Sequence, residues 1–252
     1  MPVSKLKNLA ILILLLANIV MVCLLIPRQL EKHTQQQDLV DSLSTLCAEQ
    51  NVALQPGCIG TSLALYTLEL HERTDAEAAA LEVLPGKYSW VDGVLSVTAD
   101  AQREVADLRS HTKGLLKKMQ FQIASLSEPI RRSPGIFDVT ATQSILGVPV
   151  FSDGLTFTYA NSCLRTVSGS FFTGTLIRAD DTVCCSAAEA IVAFLGSRVD
   201  LGWVGSSITA LEQGYLSAEL PGLVRLIPCW KLTTDTGSFY VNGLDRSVEI
   251  AV

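Results

Sequence analysis

One uncharged, strongly apolar run near the amino terminus constrains this chain more than any other feature of its sequence. Residues 9–26 carry no charge, and Asn18 is the one strongly polar residue among them. Eighteen residues that rise about 1.5 Å each form a helix of about 27 Å, close to the ~30 Å hydrocarbon core of a bilayer. We therefore predict a transmembrane anchor over residues 9–26, preceded by a short amino terminus over residues 1–8.

The alternative interpretation of this run is a cleaved secretory signal. The apolar part of such a signal has about 7–15 residues and is followed by a cleavage site with small residues. Here the run leads directly into Pro27 and Arg28, with no such site, so we favour an uncleaved anchor. Lys5 and Lys7 precede it, which predicts a cytoplasmic amino terminus and an extracytoplasmic remainder. The expected location is the cell membrane, as a single-pass protein.

One side of the predicted membrane helix carries small side chains and a single amide. The residues that share this stripe are Ala10, Leu14, Ala17, Asn18 and Met21. Small residues allow membrane helices to pack closely, and an unpaired amide is costly in lipid. Two interpretations stay open: the stripe contacts another transmembrane helix, or Asn18 bonds to its own backbone and the helix serves only as an anchor.

The composition of the chain excludes two broad classes of protein. Hydrophobic residues make up 48% of the chain and charged residues 17%, which excludes disorder over most of its length. The 25 acidic residues outnumber the 19 basic ones and give a net charge of −6. Phosphate backbones are repelled by such a balance, so we expect no nucleic-acid partner.

Helical and strand signals alternate through the part that follows the anchor. We expect a stalk helix over residues 27–50, a first lobe over 51–135 and a second lobe over 136–252. Capping boxes that begin at Thr74 and Ser186 each predict a short helix.

A longer stretch, residues 101–125, also has helical spacing of its apolar residues. The expected fold class is therefore α+β, with helices packed on antiparallel sheets in one or two related lobes.

Paired strands are predicted at three places. Residues 88–98 contain a turn at 91–93, and residues 154–160 and 164–176 flank a turn at Asn161 and Ser162. The most regular alternation lies in residues 224–233, followed by a turn and two short strands. Within that stretch Pro228 cannot donate to a strand ladder, so the strand is an edge there or carries a bulge. Trp230 belongs to its apolar face and is by default a core residue.

The sequence contains few patterns that are typical of catalytic or metal-binding sites. His33, His71 and His111 are isolated, without the spacing of a metal site. Ser110 and Lys113 fit the S-x-x-K pattern of penicillin-recognising enzymes, but the companion elements are absent from the sequence. We expect a protein that is not an enzyme, with no catalytic residue, no cofactor and no metal.

Six cysteines follow the anchor. They are Cys47, Cys58, Cys163, Cys184, Cys185 and Cys229. A domain of this size and apolar content does not depend on disulfides, so we expect mostly small buried core thiols. The side chains of the adjacent pair are expected to diverge. A bridge from Cys47 to Cys58, or from Cys163 to one of the adjacent pair, stays open.

Motifs at both ends of the chain resemble a known family. The chain begins with K-L-K-N and an anchor, and its last part contains Gly214-Tyr215, the stretch L-I-P-C-W-K-L at 226–232 and S-F-Y-V-N at 238–242. This arrangement resembles the two-component-system regulatory proteins of the YycI type, with the related YycH. The part from about residue 184 is also similar to a PepSY module, a helix packed on an antiparallel sheet. The resemblance covers the anchor and the last 70 or so residues.

The resemblance implies a non-catalytic regulator of a membrane sensor histidine kinase that controls cell-wall homeostasis. Such proteins contact the kinase through transmembrane helices and form an external complex with a sister anchored protein of the YycH type. We expect the partner contacts at the membrane stripe described above and at the sheet edge near Pro228 and Trp230. The alternatives are an anchored PepSY-like protease inhibitor and, less favoured, an anchored cell-wall enzyme that uses Ser110 and Lys113.

Overall fold

The computed structural model describes residues 42–59, 62–72, 82–84, 86–91, 94–99 and 104–251. The predicted anchor, most of the predicted stalk and the helix predicted at Thr74 lie outside these residues. The chain divides into two units, residues 1–54 and 55–252. Within the described ranges, no helix has the length and apolar character needed to span a membrane.

The described part of the first unit is a helix followed by a short strand. Residues 42–49 form helix α1, which is the described part of the predicted stalk helix. Leu43 and Cys47 are buried, in agreement with the predicted apolar face. Asn51 then takes a positive φ of 60°, and strand β1 (Ala53–Leu54) follows.

The second unit consists mainly of strands. Its strands are β2 (Tyr66–Glu72), β3 (Lys87–Val91), β4 (Val94–Thr98), β5 (Ile123–Leu126), β6 (Ile130–Ser133), β7 (Ile136–Ile145), β8 (Val148–Ala160), β9 (Cys163–Gly169), β10 (Gly174–Val183), β11 (Ser207–Leu220), β12 (Leu223–Thr234), β13 (Ser238–Asn242) and β14 (Val248–Ile250). Its described helices are α2 (Leu108–Lys118) and α3 (Ala187–Ser197).

These strands form one sheet with two antiparallel halves. Half-sheet I contains β2 and β10–β14, in the order β10-β2-β12-β11, with β13 beside β12 and β14 beside β13. Half-sheet II contains β3–β9, in the order β3-β4-β9-β8-β7, with β5 and β6 beside β7. The halves meet where β8 lies parallel to β11, at the residue pair Val150 and Tyr215.

Each half-sheet has its own apolar core. In half-sheet II, Leu115 and Leu116 of α2 are buried in one cluster with Phe157 and Phe171. In half-sheet I, the ring of Phe194 from α3 lies 4.9 Å from the ring of Trp203 and 4.9 Å from the ring of Phe239. The burial of apolar side chains in these clusters is the main favourable contribution to the folding of both half-sheets.

The predicted fold class is wrong. Strands account for 52% of the described residues and helices for 16%, so the protein is mostly β rather than helices packed on antiparallel sheets. The two related lobes are also not separate, because β2 lies between β10 and β12 and β4 pairs with β9. Strands from both sides of residue 135 therefore belong to the same half-sheets.

The main local error concerns residues 101–125. Their apolar spacing predicted one helix, but the helix ends at Lys118 and Gln120 takes a positive φ of 58°. Ile123, which matched the helical spacing, begins β5 instead. A shared apolar period over a few residues does not distinguish a helix from a turn that leads into a strand.

Several local predictions are confirmed. The hairpin β3–β4 spans residues 87–98, in agreement with the prediction for residues 88–98. The turn between β8 and β9 contains Asn161 and Ser162, both with positive φ. Helix α3 begins with the predicted capping box at Ser186. Strands β12, β13 and β14 occupy the predicted carboxy-terminal positions.

Candidate functional site

Pro228 lies where β12 exchanges one neighbour for another. One side of β12 pairs with β11. On its other side β12 pairs with β2 at residues 224–226 and with β13 at residues 229–233, and among the described strands none pairs with residues 227–228 there. Proline has no N–H to donate, so it fits this gap. Its carbonyl accepts a hydrogen bond from the Gly243 N–H at 2.8 Å. The sequence predicted an edge or a bulge; the structure has a gap inside a paired strand, and the Pro228 side chain is buried.

Trp230 is a core residue. It is 2% exposed, and its indole N–H donates a hydrogen bond to the Cys185 carbonyl at 2.8 Å. The side chains of Trp230 and Pro228 therefore face the interior of the second unit. The other predicted contact residues lie outside the described residues; they are Ala10, Leu14, Ala17, Asn18 and Met21.

The motif residues of the carboxy-terminal part surround Phe151 of β8. A Cβ added to Gly214 would lie 2.2 Å from Cε2 of Phe151, so only glycine lets this ring approach β11. The ring of Tyr240 stacks on Phe151, and Nζ of Lys231 lies 5.4 Å from its centroid. These motif positions therefore join the two half-sheets.

A carboxylate adds a second joint beside Phe151. Asp153 accepts hydrogen bonds from the hydroxyls of Ser152, at 2.6 Å, and of Ser170 and Ser217. The Ser217 N–H donates to the Ser152 hydroxyl at 2.8 Å. Ser152 and Asp153 belong to β8 and Ser217 to β11, so this network crosses the parallel contact between the half-sheets.

All six described cysteines are buried thiols, as predicted. Burial raises the pKa of the Cys229 thiol. A side-chain hydrogen bond with Cys185, together with burial, raises the pKa of Cys184, and the same bond lowers the pKa of Cys185.

The S-x-x-K pattern lies in the first turns of α2. The Ser110 hydroxyl donates a hydrogen bond to Asp107 Oδ2 at 2.7 Å, and the Ser110 N–H donates to Asp107 Oδ1 at 3.1 Å. These bonds lower the pKa of Asp107, which is the N-cap of the helix. The hydroxyl of Ser110 is thus engaged in capping.

The described histidines lie far from one another along the chain. His71 belongs to β2, opposite Thr175 of β10, and Nδ1 of His111 lies 3.0 Å from the hydroxyl of Tyr159. In the part of the chain that the structure describes, no cluster of three His, Cys, Asp or Glu side chains is arranged to hold a metal ion.

An open backbone edge lies at the outer side of β10. Strand β10 is at the end of the strand order, and among the described strands it pairs with β2 alone. Residues 174–178 pair with β2 without interruption, and we call them the β10 edge. In an antiparallel pair every second residue turns its N–H and C=O away from the neighbouring strand. Ile177 of the β10 edge is 49% exposed.

An acidic bulge follows the β10 edge. The register with β2 shifts between Arg178 and Val183, so residues 179–182 form a bulge. Arg178 holds this bulge: its Nε donates to the Asp180 carbonyl at 2.8 Å, and its Nη2 lies 2.9 Å from Asp181 Oδ1. The bulge ends the regular edge and places two carboxylates beside it. This surface was not predicted from the sequence, although the Asp180-Asp181 pair after a run of strand-forming residues is a signal for it.

No protein-family model and no curated protein sequence matches the chain. One similar solved structure is that of an uncharacterized protein from Eubacterium rectale ATCC 33656, with 6% identity and a TM-score of 0.47. The similarity covers 79% of this chain and 89% of that one.

Proposed function

We propose that this chain is a non-catalytic, membrane-anchored regulator that modulates a sensor histidine kinase of a two-component system for cell-wall homeostasis. The apolar run over residues 9–26 supports the anchor, and the motifs at 226–232 and 238–242 support the class of regulator. The structural observation that carries the proposal is the β10 edge, an open strand to which another protein can add a strand.

The β10 edge is suited to an extended segment of the sister anchored protein. Unpaired N–H and C=O groups along a sheet edge bind an incoming strand through main-chain hydrogen bonds. The half-exposed Ile177 provides apolar contact beside those bonds. Arg178 pairs with Asp181, so Asp180 and Asp181 leave one net negative charge at the end of the edge, which favours a segment in which basic residues follow the strand.

The kinase contact belongs to the predicted stripe in the membrane helix. A kinase signal changes when a ligand binds two states of the kinase unequally, and a packed helix pair satisfies this condition. The external complex and the membrane contact therefore have separate surfaces and separate tests.

A photocrosslinking amino acid at position 177 tests the external contact in living cells. We expect a covalent product that contains the sister protein. The matched control is the same amino acid at Val199, which is 80% exposed and lies in the turn after α3. A missing sister product at position 177, or equal yields at the two positions, would contradict the proposal.

Replacement of the stripe residues tests the membrane contact. The double substitution Ala17→Leu and Asn18→Leu removes the small side chain and the amide, so co-purification of the kinase with the full chain should fall. Ile19→Leu, on the opposite side of the predicted helix, is the control. Unchanged recovery of the kinase with the double variant would show that the stripe has no role.

A further inference from the structure

A cavity of about 610 Å³ opens in the second unit. It lies between the end of α2, the turn between β7 and β8, and the beginning of β10, with Leu70 of β2 at one wall. Ligand pockets commonly have volumes of about 300–1,000 Å³, so this cavity has the size of a small-molecule site.

One wall of the cavity is apolar and buried. Leu70, Met119 and Ile145 line it, and all three belong to the core. Phe172 and Leu176 add further apolar surface. This wall suits the apolar body of a ligand, because contact with it removes apolar surface from water.

The charge in the lining is of one sign. Among the described lining residues, Lys118 is the one charged residue and none is a carboxylate, while Gln120, Gln122 and Gln143 contribute amide side chains. The described α2 carries Arg109, Lys113, Lys117 and Lys118 and no acidic residue, although the chain as a whole is acidic. A cavity at the end of such a helix attracts anions.

The helix end itself does not oppose an anion here. The carbonyls of the last turn of α2 would repel one if they faced the cavity unpaired. Those of Leu115, Leu116 and Lys117 instead accept hydrogen bonds from the backbone N–H groups of residues 119, 121 and 120. The positive charge of Lys118 therefore dominates this side of the cavity.

The rim of the cavity carries an unusual leucine. Leu146 takes a positive φ of 53° in the turn between β7 and β8, and it is 71% exposed. A bulky apolar residue is disfavoured both in this backbone region and in water. Backbone strain of this kind occurs at ligand sites as well as in tight turns, and Leu146 lies both in the β7–β8 turn and in the lining of the cavity.

We propose that this cavity binds a small amphipathic carboxylate, with the acid group at Lys118 and the apolar body between Leu146 and the buried wall. A fatty acid and the carboxyl terminus of an apolar peptide share this chemistry. The inference is independent of the proposed regulatory function and goes beyond it.

Ligand binding to the cavity can be measured directly from the NMR signals of the methionine methyl groups. The chain has three methionines, Met1, Met21 and Met119, and Met119 lines the cavity. The full chain in lipid nanodiscs, labelled with ¹³C at the methionine methyls, is titrated with octanoate and with N-acetyl-leucyl-leucine. The matched amides, octanamide and N-acetyl-leucyl-leucinamide, have the same shape without the charge. We expect the Met119 methyl signal to shift with the acids and to require about tenfold more of the amides.

Three variants test the assigned roles. Lys118→Gln should weaken binding of the acids to the level of the amides. Lys117→Gln, one residue away on the same exposed turn but outside the lining, should leave it unchanged. Leu146→Asn suits the left-handed backbone, so it should raise the melting temperature and still weaken binding about fivefold.

Each outcome decides the proposal. A shift with octanoate alone identifies a fatty acid, a shift with the peptide alone identifies a peptide terminus, and shifts with both support the shared chemistry. No shift of the Met119 signal with any probe, equal binding of acids and amides, or equal effects of the two lysine variants would overturn it.

Discussion

The rings of Phe151 and Tyr240 stack with their centroids 5.7 Å apart and their planes at 21°, although the two residues belong to different half-sheets. Phe151 reaches this position across the bare Cα of Gly214. Backbone pairing between β8 and β11 is limited to one parallel residue pair, so side chains provide much of the joint. Substitutions at this place should therefore affect the stability of the whole second unit.

Gly214→Ala tests the close packing of the Phe151 ring against the backbone of Gly214. The added Cβ would overlap that ring, and we expect a loss of about 1–3 kcal/mol in the free energy of unfolding. Gly196→Ala is the control, because a Cβ at this position in α3 meets no atom within 4 Å. It should stabilise the protein by about 0.5–1 kcal/mol. Denaturant unfolding of both variants measures the difference, and equal stabilities would refute the role assigned to Gly214.

Thr67→Val should stabilise the protein. The Thr67 hydroxyl is buried without a hydrogen-bond partner among the described residues, and valine has the same shape without that unsatisfied group. The expected gain is about 1 kcal/mol in the free energy of unfolding.

Thr234→Val is the matched comparison for this prediction. Thr234 is also buried, but its hydroxyl donates to the Gly237 carbonyl at 2.8 Å. Its replacement should cost about 1 kcal/mol. Thermal melts of the two variants should therefore shift in opposite directions, and a shared direction would contradict the assignment.

Glu189→Gln should change the stability of the protein in a pH-dependent manner. Hydrogen bonds from the Ser186 backbone and hydroxyl, and then the charge of Arg246, lower the pKa of Glu189 below its ordinary value of 4.5. A lowered pKa in the folded state contributes stability above the ordinary pKa, and this contribution is lost as the pH falls through the folded value. The wild-type chain should thus melt higher than the variant at pH 7, and the two melting temperatures should converge as the pH falls through the lowered pKa of Glu189. A constant difference would exclude the charge as the cause.

Cysteine alkylation should distinguish two buried sites in the native chain. Burial raises the pKa of Cys229, whereas the hydrogen bond with Cys184 lowers the pKa of Cys185. Because the thiolate is the reactive form, iodoacetamide at pH 8 should label the peptide that contains Cys185 before the one that contains Cys229. Mass spectrometry of timed samples measures the order. In denaturant the difference should disappear, and its persistence there would point to a local sequence effect.

Local signals in the sequence predicted those elements whose determinants lie close together along the chain. The capping box from Ser186 to Glu189 and the turn at Asn161 and Ser162 depend on hydrogen bonds and backbone angles within a few residues. The strands of the carboxy-terminal part follow from an alternation that is complete within residues 224–233. Such features need no knowledge of distant partners.

The pairing of distant strands had no comparable signal. Strand β2 lies between β10 and β12, and both of these strands come more than 100 residues later in the chain. The sequence of β2 contains no pattern that indicates which strands it pairs with. Gly214 was noted as a motif residue, but its contact with Phe151 depends on how β8 meets β11. The β10 edge and the cavity have the same origin, since segments from different parts of the chain form each of them.

The narrow parallel contact between β8 and β11 also has a mechanical consequence. The two half-sheets share a single backbone pair, so little main-chain hydrogen bonding couples a displacement of one to a displacement of the other. The aromatic stack on Phe151 and the hydroxyls gathered around Asp153 add coupling at the same place. A substitution among these side chains should therefore loosen the coupling between the half-sheets before it disturbs the hydrogen bonds within them.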